Sequence, residues 1–128
     1  MLVFVVGGLL LGNAWAVVDA KLAVDAAARE AGRAYVESPD PSTAAARADD
    51  AARGAVRGAG RDPTRLVLRR SGSGGLRCSI VVHRATYRLP TVSLPFVGGW
   101  GRGITVDGSH RDVVDPFASG LAGDGDCG

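Results

Sequence analysis

An α+β fold led by a transmembrane helix is predicted for this chain, and three observations carry the prediction. Residues Met1 to Val18 contain no charged side chain. They run without a break into a stretch whose apolar residues recur three and four apart, as on one face of a helix. From Thr64 the spacing changes to every second position, as in a half-buried strand. The predicted order is an N-terminal transmembrane helix continuing into an amphipathic helix, a second short helix, and a small antiparallel sheet of three to four strands. In residue numbers this reads as a transmembrane segment over 1–18, an amphipathic extension of the same helix over 19–37, and a small α+β domain over 38–128.

The leading run, MLVFVVGGLLLGNAWAVV, has one amide, Asn13, and three glycines, Gly7, Gly8 and Gly12. About eighteen residues at 1.5 Å each reach about 27 Å, just short of the roughly 30 Å hydrocarbon layer. Small residues at Gly7, Gly8 and Gly12 favour close approach of a neighbouring helix. Because the chain begins inside the apolar run, we expect a translation start upstream of Met1, with a basic leader.

Helix continues from Val17 to about Val36. Val17, Ala20, Val24, Ala27, Ala28, Ala31, Ala34 and Tyr35 form its apolar stripe, while Lys21, Asp25, Arg29, Glu30 and Arg33 lie mostly elsewhere. Val17, Val24 and Ala31 are the expected packing positions. Asp25 and Arg29, four apart with the acid first, are expected to pair. Pro39 and Pro41 then stop the helix, because each disfavours helical geometry in the residue before it.

A second helix starts with Asp40 as N-cap and Pro41 in the first helical position, and ends near Gly58 to Gly60. Its stripe of Ala44, Ala45, Ala48, Ala51, Ala52, Ala55 and Val56 buries little area and permits close packing. Strands are predicted at Thr64 to Arg70, at Leu76 to Leu89, around Val92, Leu94 and Phe96, and at Ile104 to Val114. Ser71 to Gly75 is a turn. In the longest strand Leu76, Cys78, Ile80 and Val82 share one face and Ala85, Tyr87 and Leu89 the other, so a bulge near His83 and Arg84 is expected. Pro95 marks the third strand as an edge. The tail from Asp115 has no apolar periodicity.

The totals exclude several classes of function. With 128 residues and an apolar leader, barely a hundred remain for a core, and three Phe, two Trp and two Tyr make large ligand pockets improbable. A formal charge of +2, from 15 basic and 13 acidic residues, argues against nucleic acid as a partner. Cys78 and Cys127 stand too far apart for a zinc or redox motif. Outside the cytoplasm they are expected to form a disulfide, closing a loop of about fifty residues worth roughly 4 kcal/mol. The alternative is a buried Cys78 and a frayed Cys127 thiol.

No catalytic constellation is found, and no enzyme activity, cofactor, metal or small-molecule substrate is expected. His83 and His110 have no Cys, Asp or Glu partners at metal-ligand spacing and are expected to be structural or on the surface. Ser79 and Ser109 lack a nucleophile elbow. The glycine clusters at 72–75 and 98–103 precede strands, whereas a phosphate loop must precede a helix. Asp124-Gly125-Asp126 has too few oxygen ligands for a calcium loop. Trp100, a large ring among glycines, is either a partner contact or a core residue.

The order of parts resembles the TadE-like family of minor pilins and pilus-assembly proteins, in its actinobacterial form. The residues that carry the match are the membrane run into VVDAKLAVDAAAREAGRA at Val17 to Ala34, the strand from Cys78 to Val82, and Val114-Asp115-Pro116-Phe117 followed by Ser119-Gly120. The resemblance implies a pilin-like, single-pass subunit of a tight-adherence (Flp) pilus or related secretion system, acting through membrane lipid and helix packing with other subunits. Family members usually place a Glu near the start of the apolar helix, and this chain has no acidic residue before Asp19.

Lys21, Arg29 and Arg33 follow the span, which by the positive-inside rule favours a cytoplasmic domain. A basic leader upstream would reverse this, and an extracytoplasmic domain is expected. The competing reading is a small secreted binding module released after Ala16, since Ala14-Trp15-Ala16 supplies the small-x-small pattern of signal peptidase.

Overall fold

The computed structural model describes residues 1–72, 74–90, 93–94, 98–99, 103–123 and 125–127. Helix α1, Leu2–Val36, passes without interruption from the uncharged run into the amphipathic stretch. It ends where the Glu37 N–H donates to the Arg33 carbonyl at 3.0 Å, just ahead of the prolines. Asp25 takes Lys21 as its ion-pair partner at 2.8 Å, not Arg29, because Lys21 is held on that side by the Asp107 carbonyl.

Helix α2, Pro41–Gly58, starts as its sequence directs. Asp40 is the N-cap, accepting the Ser42 N–H at 2.9 Å, and Pro41 occupies the first turn. The Ser42 hydroxyl and N–H together hold the Asp40 carboxyl below the usual carboxylate range. At the other end Gly60, at φ +72°, donates to the Arg57 carbonyl and Arg61 to that of Val56. This pair of bonds is a Schellman motif, which needs a residue that tolerates the left-handed conformation. It turns Arg61 back towards α1.

A 3-10 turn at Pro63–Arg65 takes the place of the first predicted strand residues. Asp62 caps it by accepting the Thr64 N–H at 2.9 Å. The main sheet then comprises β1, Leu66–Gly72, β2, Ile80–Arg88, and the last strand, Thr105–Val113, all antiparallel with β2 in the centre. Between them Ser93–Leu94 (β3) pairs with Gly98–Gly99 (β4) in a separate two-stranded ladder, so the last strand is β5. Val92, Pro95 and Phe96, on which the third predicted strand rested, lie outside the described residues.

Pairing along β2 is continuous on both sides, from Leu66 opposite Tyr87 to Gly72 opposite Val81, and from Ile80 opposite Val113 to Arg88 opposite Thr105. The expected bulge at His83 and Arg84 is therefore absent. Val81, His83, Ala85, Tyr87 and Leu89 form one unbroken inner row, with His83 fully buried. The alternation looked broken because an imidazole stood at an inner position while the apolar Ile80 and Val82 stand on the outer face.

The inner face of the sheet is covered by α1, which packs on β5 and β2, and by α2, which packs on α1 and reaches β1. Ala20, Val24, Ala27, Ala28 and Ala31 of α1 join Ala44, Ala48, Ala52 and Val56 of α2 in the core. Ala45, expected in this stripe, is exposed. Across the sheet Leu68, Ala85 and Gly108 stand in register, decreasing in size towards α1. That taper lets the helix backbone approach β5.

His83 packs against Tyr35, their ring centres 5.4 Å apart, and the Arg70 guanidinium lies over the Tyr35 ring at 4.7 Å. Neither imidazole nitrogen has a hydrogen-bond partner among the described residues. Burial holds the His83 pKa below its ordinary value, with Arg70 and His110 pushing the same way and Asp112 opposing. Protonation thus favours the unfolded chain, which accepts the proton first. The stability contributed by keeping His83 neutral is full above about pH 6.5 and is lost as pH falls towards the depressed folded pKa. We expect a lower urea midpoint at pH 5 than at pH 7.5, and a smaller difference in His83→Leu; equal pH dependence in both proteins refutes the assignment.

Residues 76–79, predicted as strand, lie outside the main sheet: Leu76 bridges Ala122 of the docked C-terminal tail in parallel, and Arg77 and Cys78 form a turn. Arg77 N–H donates to the Ala122 carbonyl, and Cys78 and Val114 are tied through the Cys78–Val114 and Val114–Ser79 backbone bonds. Cys78 is disulfide-bonded to Cys127 across 49 positions. The tail beyond Pro116 has no helix or named strand among its described residues, and the bridge secures its end.

Candidate membrane anchor and assembly surface

The most distinctive surface is the N-terminal half of α1. Its apolar window is long enough to cross a membrane and is wholly unburied. Phe4 is 85% exposed and Leu11 and Trp15 each 74%. In water such a continuous apolar rod is costly, at about 25 cal/mol for each Å² left uncovered. Asn13, its one amide, donates to the Leu9 carbonyl at 2.8 Å, so the polar group is supplied from within the helix. Trp15 sits at the domain end of the run, where an amphipathic ring suits the lipid headgroup level.

Gly7, Gly8 and Gly12 belong to this bare half. A methyl group added at any of them meets nothing within 4 Å. No contact within the chain requires glycine there. Gly8 and Gly12, four apart, share one helix face and leave a shallow groove on it.

Burial begins at the junction. Val17 is half-buried and packs against the core, Ala20 is fully buried, and Val24 and Ala31 are fully buried further along. These three predicted packing residues, Val17, Val24 and Ala31, therefore hold α1 to its own domain, separately from the glycines. Lys21 adds its contacts to Asp25 and the Asp107 carbonyl at the same level.

Arg61 was not foreseen, and it clamps the junction. Its guanidinium donates to the Asp19 carboxylate at 2.6 Å and to the Ala16 carbonyl at 3.0 Å, and lies 5.9 Å from the Tyr87 ring centre. Its side chain is only 15% exposed. A charge-assisted bond of this kind fixes direction as well as distance. The signals that could have found it are Gly60, which marks a left-handed cap, and Asp19, the first carboxylate after the apolar run and in need of a cation.

Strand direction places the rest relative to the anchor. Asp107 lies level with Lys21, and Asp112 level with Gly32, so β5 runs beside α1 in the same sense. The β2–β5 connection consequently leaves at Leu89 and returns at Ile104, joined by a 2.8 Å backbone bond, on the side of the bare apolar helix. Trp100, the candidate contact residue in this connection, lies outside the described residues.

The described residues contain no group of three or more His, Cys, Asp or Glu side chains placed to hold a metal ion. His110 and Asp112 stand 3.4 Å apart on β5. A depression of about 570 Å³, open to solvent, is lined by Arg65, Val67, Thr86, Arg88 and neighbours. No family model, no curated protein and no solved structure matches the chain.

Proposed function

We propose that this chain is a non-enzymatic, membrane-anchored, pilin-like subunit or assembly factor of a tight-adherence (Flp) type pilus or a related secretion system. The observation that carries the reading is the single unbroken α1, bare and apolar over its first half and built into the domain core over its second. The TadE-like order of parts supports the same class. Membrane lipid and neighbouring helices are the partners of the bare half, with Gly8 and Gly12 at the helix contact. The Cys78–Cys127 bridge supports an extracytoplasmic domain, because disulfides persist in oxidising compartments.

The alternative, a module secreted after cleavage at Ala16, requires cutting α1 at the residue whose carbonyl Arg61 holds. Fractionation of expressing cells with N-terminal sequencing separates the two. The anchored form stays in the carbonate-washed membrane pellet with its apolar run intact. Protein in the medium beginning at Val17 overturns the proposal. For the helix contact, Gly8→Leu and Gly12→Leu are expected to reduce co-purification with other pilus components about fivefold, the equivalent of about 1 kcal/mol. Unchanged recovery removes the glycine groove from the account.

A further inference from the structure

The helices cover one face of the main sheet, and among the described residues no helix or strand covers the other. Arg69, Arg84 and Arg111 are exposed on that outer face, one from each strand, between the exposed Val67 and Val113. Arg69 stands directly opposite Arg84, and Arg111 is opposite Val82, two positions from Arg84 on β2. Like charges held opposite each other across an antiparallel pair are destabilising. None of the three has an ion pair or side-chain hydrogen bond among the described residues. Asp107, the carboxylate of this outer row, accepts the Thr86 hydroxyl at 2.7 Å and has no ion-pair partner among the described residues. The chain's charge is nearly balanced overall, yet here three cations are gathered beside a single described carboxylate, and none is paired with it.

We propose that the outer face of the β1–β2–β5 sheet, centred on Arg69, Arg84 and Arg111, docks an acidic protein partner. Arginine set among branched aliphatic side chains, with Lys and Glu missing, is the composition of a protein interface. A guanidinium row matches carboxylates in the bidentate manner. Height selects protein over the chain's own bilayer: Ser109, level with Arg84, lies between the levels of Lys21 and Gly32 on α1. Gly108 lies against Val24 and Asp25, so this level is roughly 12 Å beyond Val18 at 1.5 Å per residue, about one and a half physiological Debye lengths. The inference rests on the anchored assembly reading for this setting.

The test uses the full chain in phosphatidylcholine nanodiscs and a fluorescent deca-glutamate peptide at about 150 mM salt. Arg69→Glu with Arg84→Glu is expected to weaken peptide binding about tenfold or more, and Arg29→Glu with Arg57→Glu, the same change of charge on the helices, less than about twofold. Arg69→Gln with Arg84→Gln, gentler on the strands, is expected to show an intermediate loss. A urea midpoint close to that of the wild type reports folding of each variant. Equal losses in the sheet and helix variants, no binding by the wild type, or a wild-type preference for heparin or phosphatidylglycerol vesicles overturns the proposal. Membrane fractionation of the same proteins tests the anchor separately: a chain found free of membrane defeats the assembly reading, while the peptide measurement still judges the sheet face.

Discussion

Replacing Cys127 with Ser lowers the unfolding free energy of the domain by about 4 kcal/mol on the chain-entropy account of a crosslink. The bridge joins Cys78 to a residue 49 positions away, so the reduced, unfolded chain regains the freedom of a loop of that length. The expected loss is large because the core is assembled chiefly from Ala and Val, with Tyr35, Tyr87 and His83 as its few rings. A domain of this size has a net stability of only about 5–15 kcal/mol. The tail keeps other ties after the substitution, including Arg77 Nε to the Ala118 carbonyl and Arg77 N–H to the Ala122 carbonyl. Urea unfolding of the full chain in detergent micelles, with Cys127→Ser beside wild type under oxidising and reducing conditions, measures the effect. A difference below about 1 kcal/mol means that the tail's other ties already restrain the chain, against the expectation for a loop of this length.

Gly108→Val is expected to cost about 3 kcal/mol or more through overpacking. Gly108 is where β5 lies against α1. A β-carbon there meets the Asp25 side chain and stands 3.0 Å from both the Asp25 nitrogen and the Val24 carbonyl carbon. Side chains yield at such a contact, but the backbone of a helix yields only by moving the helix. Valine, branched at that carbon, adds two further methyl groups. Gly54 in α2 supplies the contrast, since nothing lies within 4 Å of a β-carbon added there. Gly54→Ala is expected to stabilise by about 0.5–1 kcal/mol through helix propensity and a less flexible unfolded chain. Thermal melts report both, at about 4–8 °C for each kcal/mol in a domain of this size. A Gly108→Val protein melting within a few degrees of wild type rejects the close approach.

Much of the fold is legible before any coordinates. The uncharged run, the stripe from Val17 to Tyr35, the Asp40–Pro41 start of α2 and the alternation after Thr64 are local signals, each complete within a turn of helix or a few strand residues. The Cys78–Cys127 disulfide was expected from the two cysteines, but the return of the tail to the turn before β2, which brings them together, was not. Residues 76–79 had strand character but lie outside the main sheet, beside that docked tail. His83 has a polar side chain in a row of apolar ones, and only the helices above it make that row the inside of the protein.

By itself the sequence determined the order of elements, the helix ends, and the unusual length of uncharged helix that precedes the domain. Those depend on backbone propensity, capping and hydropathy, which act between near neighbours. Tertiary structure alone decided that Arg61 clamps α1 at Ala16 and Asp19, that Gly108 admits the helix, and that Arg69, Arg84 and Arg111 gather on the outer face of the sheet. Each of these brings together residues distant in the chain through strand register and helix packing, and no local pattern specifies which distant residue will arrive.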